Sequence, residues 1–260
     1  MIEFPDPALD KAGYKACCAA LYSHEAVRYL LGDAMRPGGL ALTREILEEA
    51  SVGAGSKVLD VACGTCDSRE AVEALGAVYY GVDLGRQNLL RAGKVYVAQA
   101  DAEGLPFGEA TFDAVLIQCA FCTFPDKQGA ASEFARVLKH GGQLLIADVT
   151  LDCETVPPEL RSVFAAAACL ADARPMAAYE AIVRDAGLEV STSRNRADAA
   201  MAFLRGIDQK LFLVRIAQAV KAVDLGDLDI GEARRLLKLG LGMVERGELS
   251  YGYLVARKGP

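Results

Sequence analysis

The 260-residue sequence has no tryptophan, only two histidines, and no stretch approaching the ~20 uncharged apolar residues that a membrane span requires. Positive charge is also short: 28 Lys and Arg stand against 35 Asp and Glu, a net charge of −7. An acidic surface excludes sequence-independent nucleic-acid binding, which needs a basic face to neutralise phosphates. The opening residues, Met1-Ile2-Glu3-Phe4-Pro5-Asp6, have neither the basic flank nor the apolar run of a signal peptide. These absences point to a soluble cytoplasmic protein with reduced thiols. What is present is apolar: 52% hydrophobic residues suffice for a sizeable core and exclude disorder. Eight cysteines are too sparse in a chain of this length for a secreted disulfide scaffold, so they need another account. The length favours one α/β domain with an appendage over two independent domains.

Residues 8–50 read as helical, with Leu21, Tyr22, Val27, Leu30 and Leu31 at helical spacing and a last helix from Leu40 to Ala50 after Pro37-Gly38-Gly39. The pattern then changes to short apolar runs. Lys57–Ala62 stops at a small-residue loop, Cys63-Gly64-Thr65-Cys66. Asp67 or Ser68 can cap the helix that follows, to about Leu75. Val78–Asp83, Val95–Gln99, Ala114–Gln118 and Gln143–Asp148 read as further strands, with a helix over Lys127–Leu138. Leu188–Ser191 is a sixth strand candidate after a helix Pro175–Ala186, and Leu249–Ala256 a last one. Strands alternating with helices imply right-handed βαβ units and a parallel sheet covered on both faces. Residues 196–247 are helical by periodicity, and the alanine-rich run Ala165–Ala168 fits tight helix packing.

A strand running into a small-residue turn and then a helix makes an anion or nucleotide site, because backbone N–H groups are unpaired there and small side chains let a ligand approach. The turn here is Asp60-Val61-Ala62-Cys63-Gly64-Thr65-Cys66. Gly64 alone remains of the three glycines in the nicotinamide-type fingerprint, which argues against a dinucleotide. Asp83, nineteen residues after Gly64 at the end of the second strand, stands where a partner of ribose hydroxyls is expected.

With those motifs in view, the sequence resembles class I S-adenosylmethionine-dependent methyltransferases over about residues 38–190. Val58–Thr65 is similar to the family's first motif, and Val82-Asp83-Leu84 to its ribose-binding strand end. Gln99-Ala100-Asp101-Ala102-Glu103-Gly104-Leu105-Pro106-Phe107 resembles the adenine-side loop, Thr111–Val115 the lead into strand four, and Arg136–Gly142 the turn before strand five. The resemblance implies a Rossmann-like doubly wound seven-stranded sheet, mostly parallel with the last strand antiparallel. It also implies that Asp60, Ala62, Cys63, Gly64, Thr65, Asp83, Leu84, Asp101, Ala102 and Gln118 bind S-adenosylmethionine. Asp101 would take the exocyclic amine, Ala102 would offer its N–H, and Gln118 would face the methionine part. The expected organisation is an N-terminal helical cap (1–50), a cofactor-binding core (51–195), a helical insertion (196–248) and a final core strand (249–260). Methyl transfer from a sulfonium needs positioning more than acid–base chemistry, which suits a chain without a conspicuous catalytic triad. His24 and His140 are accordingly read as structural.

The cysteines stand at 17, 18, 63, 66, 119, 122, 153 and 169. The pairs Cys63–Cys66 and Cys119–Cys122 have C-x-x-C spacing, which suggests zinc, a cluster or a redox couple. They would follow neighbouring strands and open on the same sheet edge. Cys119 and Cys169 also fall where arsenite methyltransferases, a branch of this family, carry metalloid-binding cysteines. Cys169-Leu170-Ala171-Asp172-Ala173 and the following Tyr179–Leu188 are similar in spacing to that branch, and Cys17-Cys18 would add a third thiol. The resemblance implies that Cys119, Cys169, Cys17 and Cys18 hold a soft acceptor such as trivalent arsenic, which thiolates bind well. Cys122 and Cys153 are expected merely to pack. The expected partner is thus a metalloid or small-molecule acceptor, with no nucleic acid and no membrane. A small organic acceptor of quinone-precursor type is the alternative, and a metal- or cluster-binding accessory protein the third reading.

Overall fold

The computed structural model describes residues 36–92, 96–160, 170, 172–219 and 230–260, without the side chains of 215–219. Cys17, Cys18, Cys169, the residues before 36 expected to be helical, Ala165–Ala168 and residues 220–229 lie outside the described residues.

Helix α1 (Gly39–Glu49) leads into β1 (Lys57–Val61), α2 (Arg69–Ala74), β2 (Val78–Asp83), α3 (Arg86–Arg91), β3 (Val97–Gln99) and β4 (Phe112–Gln118). There follow α4 (Lys127–Val137), β5 (Leu138–Leu151), α5 (Met176–Asp185), β6 (Leu188–Asn195), α6 (Ala197–Ala219), α7 (Ile230–Glu245) and β7 (Leu249–Lys258). The strands form one sheet in the order β3-β2-β1-β4-β5-β7-β6. β1 pairs in parallel with both β2 and β4, and β7 runs antiparallel between β5 and β6. This is the expected Rossmann-like methyltransferase fold.

The physical cause is continuous burial of the central strands. Val58, Leu59, Val115, Leu116, Ile117, Leu144 and Leu145 are fully enclosed, as strands covered on both faces must be. Helix α4 begins where the Asp126 side chain accepts the Gly129 N–H, and α5 stops before Gly187 at φ 84°, a left-handed terminator. The order reverses beside β1: β2 leads away on one side and β4 on the other. Their carboxyl ends therefore open a crevice at the switch point, where ligands bind in open α/β sheets.

The structure lengthens the expected β4, β6 and β7, and most of all β5. β5 begins at Leu138 rather than Gln143, with Gly141 at φ 77° inside an irregular start, and its far end continues to Leu151 because Gln143–Leu151 pairs with β7. His140, expected in a turn, lies in this strand with Nδ1 3.1 Å from the Gly259 carbonyl. Ser68 precedes α2 without capping it, since its hydroxyl turns inward to Gln118. Helices α6 and α7 pack on each other and on β7, joined by a fork in which Arg234 donates to both oxygens of Asp208 at 2.7 and 3.0 Å.

Candidate active site

The loop after β1 is shaped by left-handed backbone at Ala62 (φ 57°), Gly64 (φ 57°) and Cys66 (φ 65°). Two of the three are not glycine, a strained arrangement of the kind found at functional sites. The Cys63 N–H donates to the Val82 carbonyl at 3.0 Å, and the Cys66 N–H closes the turn on the Cys63 carbonyl at 2.8 Å. Asp83 joins this loop to its own strand end. Its Oδ2 accepts the Gly64 N–H at 2.8 Å and its Oδ1 the Gly85 N–H at 2.7 Å. Burial pushes its carboxyl above the ordinary value while those N–H groups oppose the rise. A Cβ placed on Gly64 would meet no atom within 4 Å, so the space over the loop is open. Thr65 donates its hydroxyl to Asp67 at 3.0 Å.

Asp60 is wholly buried on β1 and accepts the Tyr79 hydroxyl at 2.9 Å. Burial raises its pKa to about 6, with the Arg36 charge pulling the other way. Arg36 is itself buried and donates to the hydroxyls of Thr43 at 3.0 Å and Ser68 at 3.2 Å. Both hydroxyls in turn serve Gln118 Oε1, at 3.1 and 3.0 Å. Gln118 Nε2 is buried with no partner among the described residues. A buried donor left this way costs on the order of 1–3 kcal/mol, which an acceptor placed over β4 would relieve.

The loop after β3 is fixed from behind. Asp101 Oδ1 accepts the Glu103 N–H at 3.0 Å, and the Ala100 N–H donates to the Asp83 carbonyl at 3.1 Å, setting Asp101 and buried Ala102 beside β2. Leu84 is partly exposed, and its carbonyl accepts Gln99 Nε2 at 2.9 Å. Arg136 donates to the carbonyls of Phe107 (2.8 Å) and Leu105 (3.1 Å). Glu133 accepts the Leu105 N–H at 2.8 Å, and Glu103 accepts the Asp126 N–H at 2.9 Å.

Past the end of β4, Cys119 stands at φ 53°, half-buried. Buried Asp148 organises the next residues: Oδ2 accepts the N–H groups of Ala120 (3.1 Å) and Cys122 (3.0 Å), and Oδ1 that of Val149 (2.7 Å). Lys127 Nζ reaches the carbonyls of Cys122 and Phe124 and pairs with Asp172. Cys122 is enclosed as expected. Cys153, expected to pack, is instead exposed in a turn after β5, its Sγ donating to the Ala173 carbonyl at 3.3 Å. The polar turn around Asp152 keeps it outside the core. Among the described residues no three His, Cys, Asp or Glu gather as metal ligands, so the two C-x-x-C pairs do not form a joint centre. A cavity of about 510 Å³ opens on the outer side of the loop, lined by Leu40, Thr65, Cys66, Asp67 and residues of α2 and α3. It does not extend to Asp83 or Asp101.

The structure thus brings Asp60, Ala62, Cys63, Gly64, Thr65, Asp83, Leu84, Asp101, Ala102, Gln118 and Cys119 to one sheet edge. Sequence reasoning missed Arg36, Thr43, Ser68 and Tyr79, which reach the site from the turn before α1, from α1, from the start of α2 and from β2. No motif marks them. An arginine just before a helix reads as solvated until the fold buries it.

Residues 59–146 match the methyltransferase-domain family. An O-methyltransferase of Aspergillus sclerotiorum is 27% identical over 231 residues, 84% of this chain and 81% of the relative. A ubiquinone/menaquinone biosynthesis C-methyltransferase of Saccharophagus degradans is 33% identical over 147 residues, 51% of this chain and 59% of the relative. Among solved structures, a Haemonchus contortus phosphoethanolamine N-methyltransferase in complex with S-adenosylhomocysteine superposes with a TM-score of 0.78 at 17% identity, covering 97% of this chain and 61% of that one. Residues 59–146 are thus similar to a methyltransferase domain, and the seven-stranded sheet has the Rossmann-like fold of the solved methyltransferases it superposes on.

Proposed function

We propose that the chain binds S-adenosylmethionine over the loop after β1 and transfers its methyl group to a small organic acceptor. The observation that carries this is the open space at Gly64, in a loop bonded to Asp83 at one end and, through Ser68, to the Gln118 amide at the other. The residues fit the cofactor. Asp83 keeps lone pairs for ribose hydroxyls, Asp101 and the Ala102 N–H suit the adenine edge, and Gln118 Nε2 is a donor for the methionyl carboxylate. The cofactor supplies a methyl group on a cationic sulfonium, already a good leaving group.

The chain's own work is then positioning. Asp83 and Gln118 fix the two ends of the cofactor, which turns methyl transfer into an in-line encounter of held groups. Asp60 sets negative charge beneath the loop above pH about 6. Phe121 lies edge-on to Phe124 and Tyr179, with ring centroids 5.9 and 5.5 Å apart, and supports the segment after β4. O- and C-methyltransferases among the relatives favour an oxygen or carbon nucleophile on the acceptor.

A second reading, a soft thiol-bound acceptor such as trivalent arsenic, draws on one observation: Cys119 stands half-buried at the end of β4 in a left-handed backbone. Calorimetry with S-adenosylmethionine tests the cofactor reading, and Asp83→Ala should weaken binding at least tenfold. Isotope-labelled methyl transfer to phenols, quinols and trivalent arsenicals then separates the acceptors. Methylation of an organic acceptor that survives Cys119→Ser supports the first reading. Arsenical methylation abolished by the same change supports the second, and no cofactor binding at all sinks both.

A further inference from the structure

Cys66 stands at a left-handed turn, φ 65°, where glycine is the low-cost residue. The strain brings a second sulfur to the loop: Cys66 Sγ lies 3.6 Å from Cys63 Sγ, in a thiol–thiol hydrogen bond. The Cys63 sulfur is wedged against β2, 2.8 Å from where a Cβ on Gly81 would stand. Cys66 is buried but lines the cavity beside the loop, which is the side from which a small reagent meets it. We propose that Cys63 and Cys66 are an oxidative modification site, a dithiol that a small-molecule disulfide of glutathione type converts to an intramolecular disulfide, loosening the cofactor. This rests on the reading of the loop as the cofactor cradle.

The chemistry balances. Ionised Cys66 attacks one sulfur of the small disulfide and expels one thiolate. Cys63 then gives up its proton and attacks Cys66 Sγ, expelling the second thiolate. Two protein thiols lose two electrons and two protons, and the reagent leaves as two thiols. The thiol contact with Cys63 holds Cys66 below the ordinary cysteine value, while the same contact and burial push Cys63 up, so Cys66 is the attacking sulfur. Bond formation draws the sulfurs from 3.6 Å to about 2.05 Å. The turn that moves carries Gly64, whose N–H is bonded to Asp83. Oxidation therefore displaces the segment that holds the ligand, and by linkage bound ligand protects the dithiol.

The test equilibrates the whole protein in glutathione redox buffers, with and without saturating S-adenosylhomocysteine, and maps the thiols by alkylation and mass spectrometry. A disulfide between Cys63 and Cys66 is expected, with at least tenfold weaker S-adenosylhomocysteine binding in the oxidised form. A tenfold difference equals a shift of about 30 mV in the dithiol midpoint on saturation. In Cys66→Ser the affinity should no longer respond to the buffer. Because oxidised and reduced wild type are compared directly, the result stands even if that variant folds poorly. Thiols at 63 and 66 that remain alkylatable in the most oxidising buffer overturn the proposal. So does a disulfide that leaves affinity within twofold. Reduced protein that binds no S-adenosylhomocysteine overturns the cofactor reading, and this inference with it.

Discussion

At the scale of single residues, Asp60 shows what the site costs. It is a wholly buried carboxyl whose pKa burial raises from 3.8 to about 6. A raised carboxyl pKa means that the native state holds its proton more tightly than the unfolded chain does. The stability this group contributes is therefore present below pH 3.8 and lost as the pH climbs through about 6. Relative to Asp60→Asn, which does not titrate, wild-type stability should fall by roughly 2.4 kcal/mol between pH 4 and pH 7. Urea unfolding of both proteins across that range checks this, and a difference independent of pH would refute it. Gln118 has the complementary position, with a satisfied carbonyl and a buried amide nitrogen awaiting an acceptor. Gln118→Leu should weaken S-adenosylmethionine by five- to twentyfold in calorimetry, as losing a hydrogen bond to a charged ligand does. An unchanged Kd would remove Gln118 from the cradle.

At the scale of elements, helix α4 governs the adenine side without approaching it. Arg136 and Glu133, one turn apart, hold both sides of the Leu105–Phe107 segment, and Arg136 and Glu133 also pair with each other at 2.7 Å. Arg136→Ala frees two carbonyls of that loop at once. The expectation is a loss of about 2 kcal/mol in stability and a several-fold rise in KM for the cofactor with kcat little changed. A kcat collapse at unchanged KM would contradict this division. The elements themselves were largely legible in the sequence. The apolar run Val78–Asp83 gives β2 with the same bounds, because Gly76 at φ 72° breaks the chain just before it and Asp83 closes the apolar run. The start of β5 was not legible: Lys139-His140-Gly141-Gly142 has neither apolar run nor alternation, and only pairing defines it as strand. The strand-end positions of the residues proposed to hold the cofactor could be read from motif order. Arg36 and Thr43 could not, since their burial depends on α1 folding back over β4. Cys153 misled because composition cannot distinguish a thiol in a core from one in a polar turn.

At the scale of the whole molecule, the cradle draws on β1, β2, β4, α1 and α2, so ligand binding and global stability are coupled. S-adenosylhomocysteine at about one hundred times its Kd should add roughly 2.7 kcal/mol and raise Tm by roughly 5–10 °C. Differential scanning calorimetry that shows no shift would count against a folded, binding-competent cradle. The far side of the sheet follows a different logic. β7 lies between β5 and β6, and the Tyr253 hydroxyl on it bonds Glu49 at 2.6 Å and Glu45 at 3.2 Å, clasping α1. The last of the seven sheet strands in chain order is thus an interior strand. Until residues 249–258 emerge, β5 and β6 each present an open row of backbone donors and acceptors, and α1 lacks its clasp. The nascent chain passes through a stage with two adhesive edges, and translation of the final ten sheet residues closes both at once.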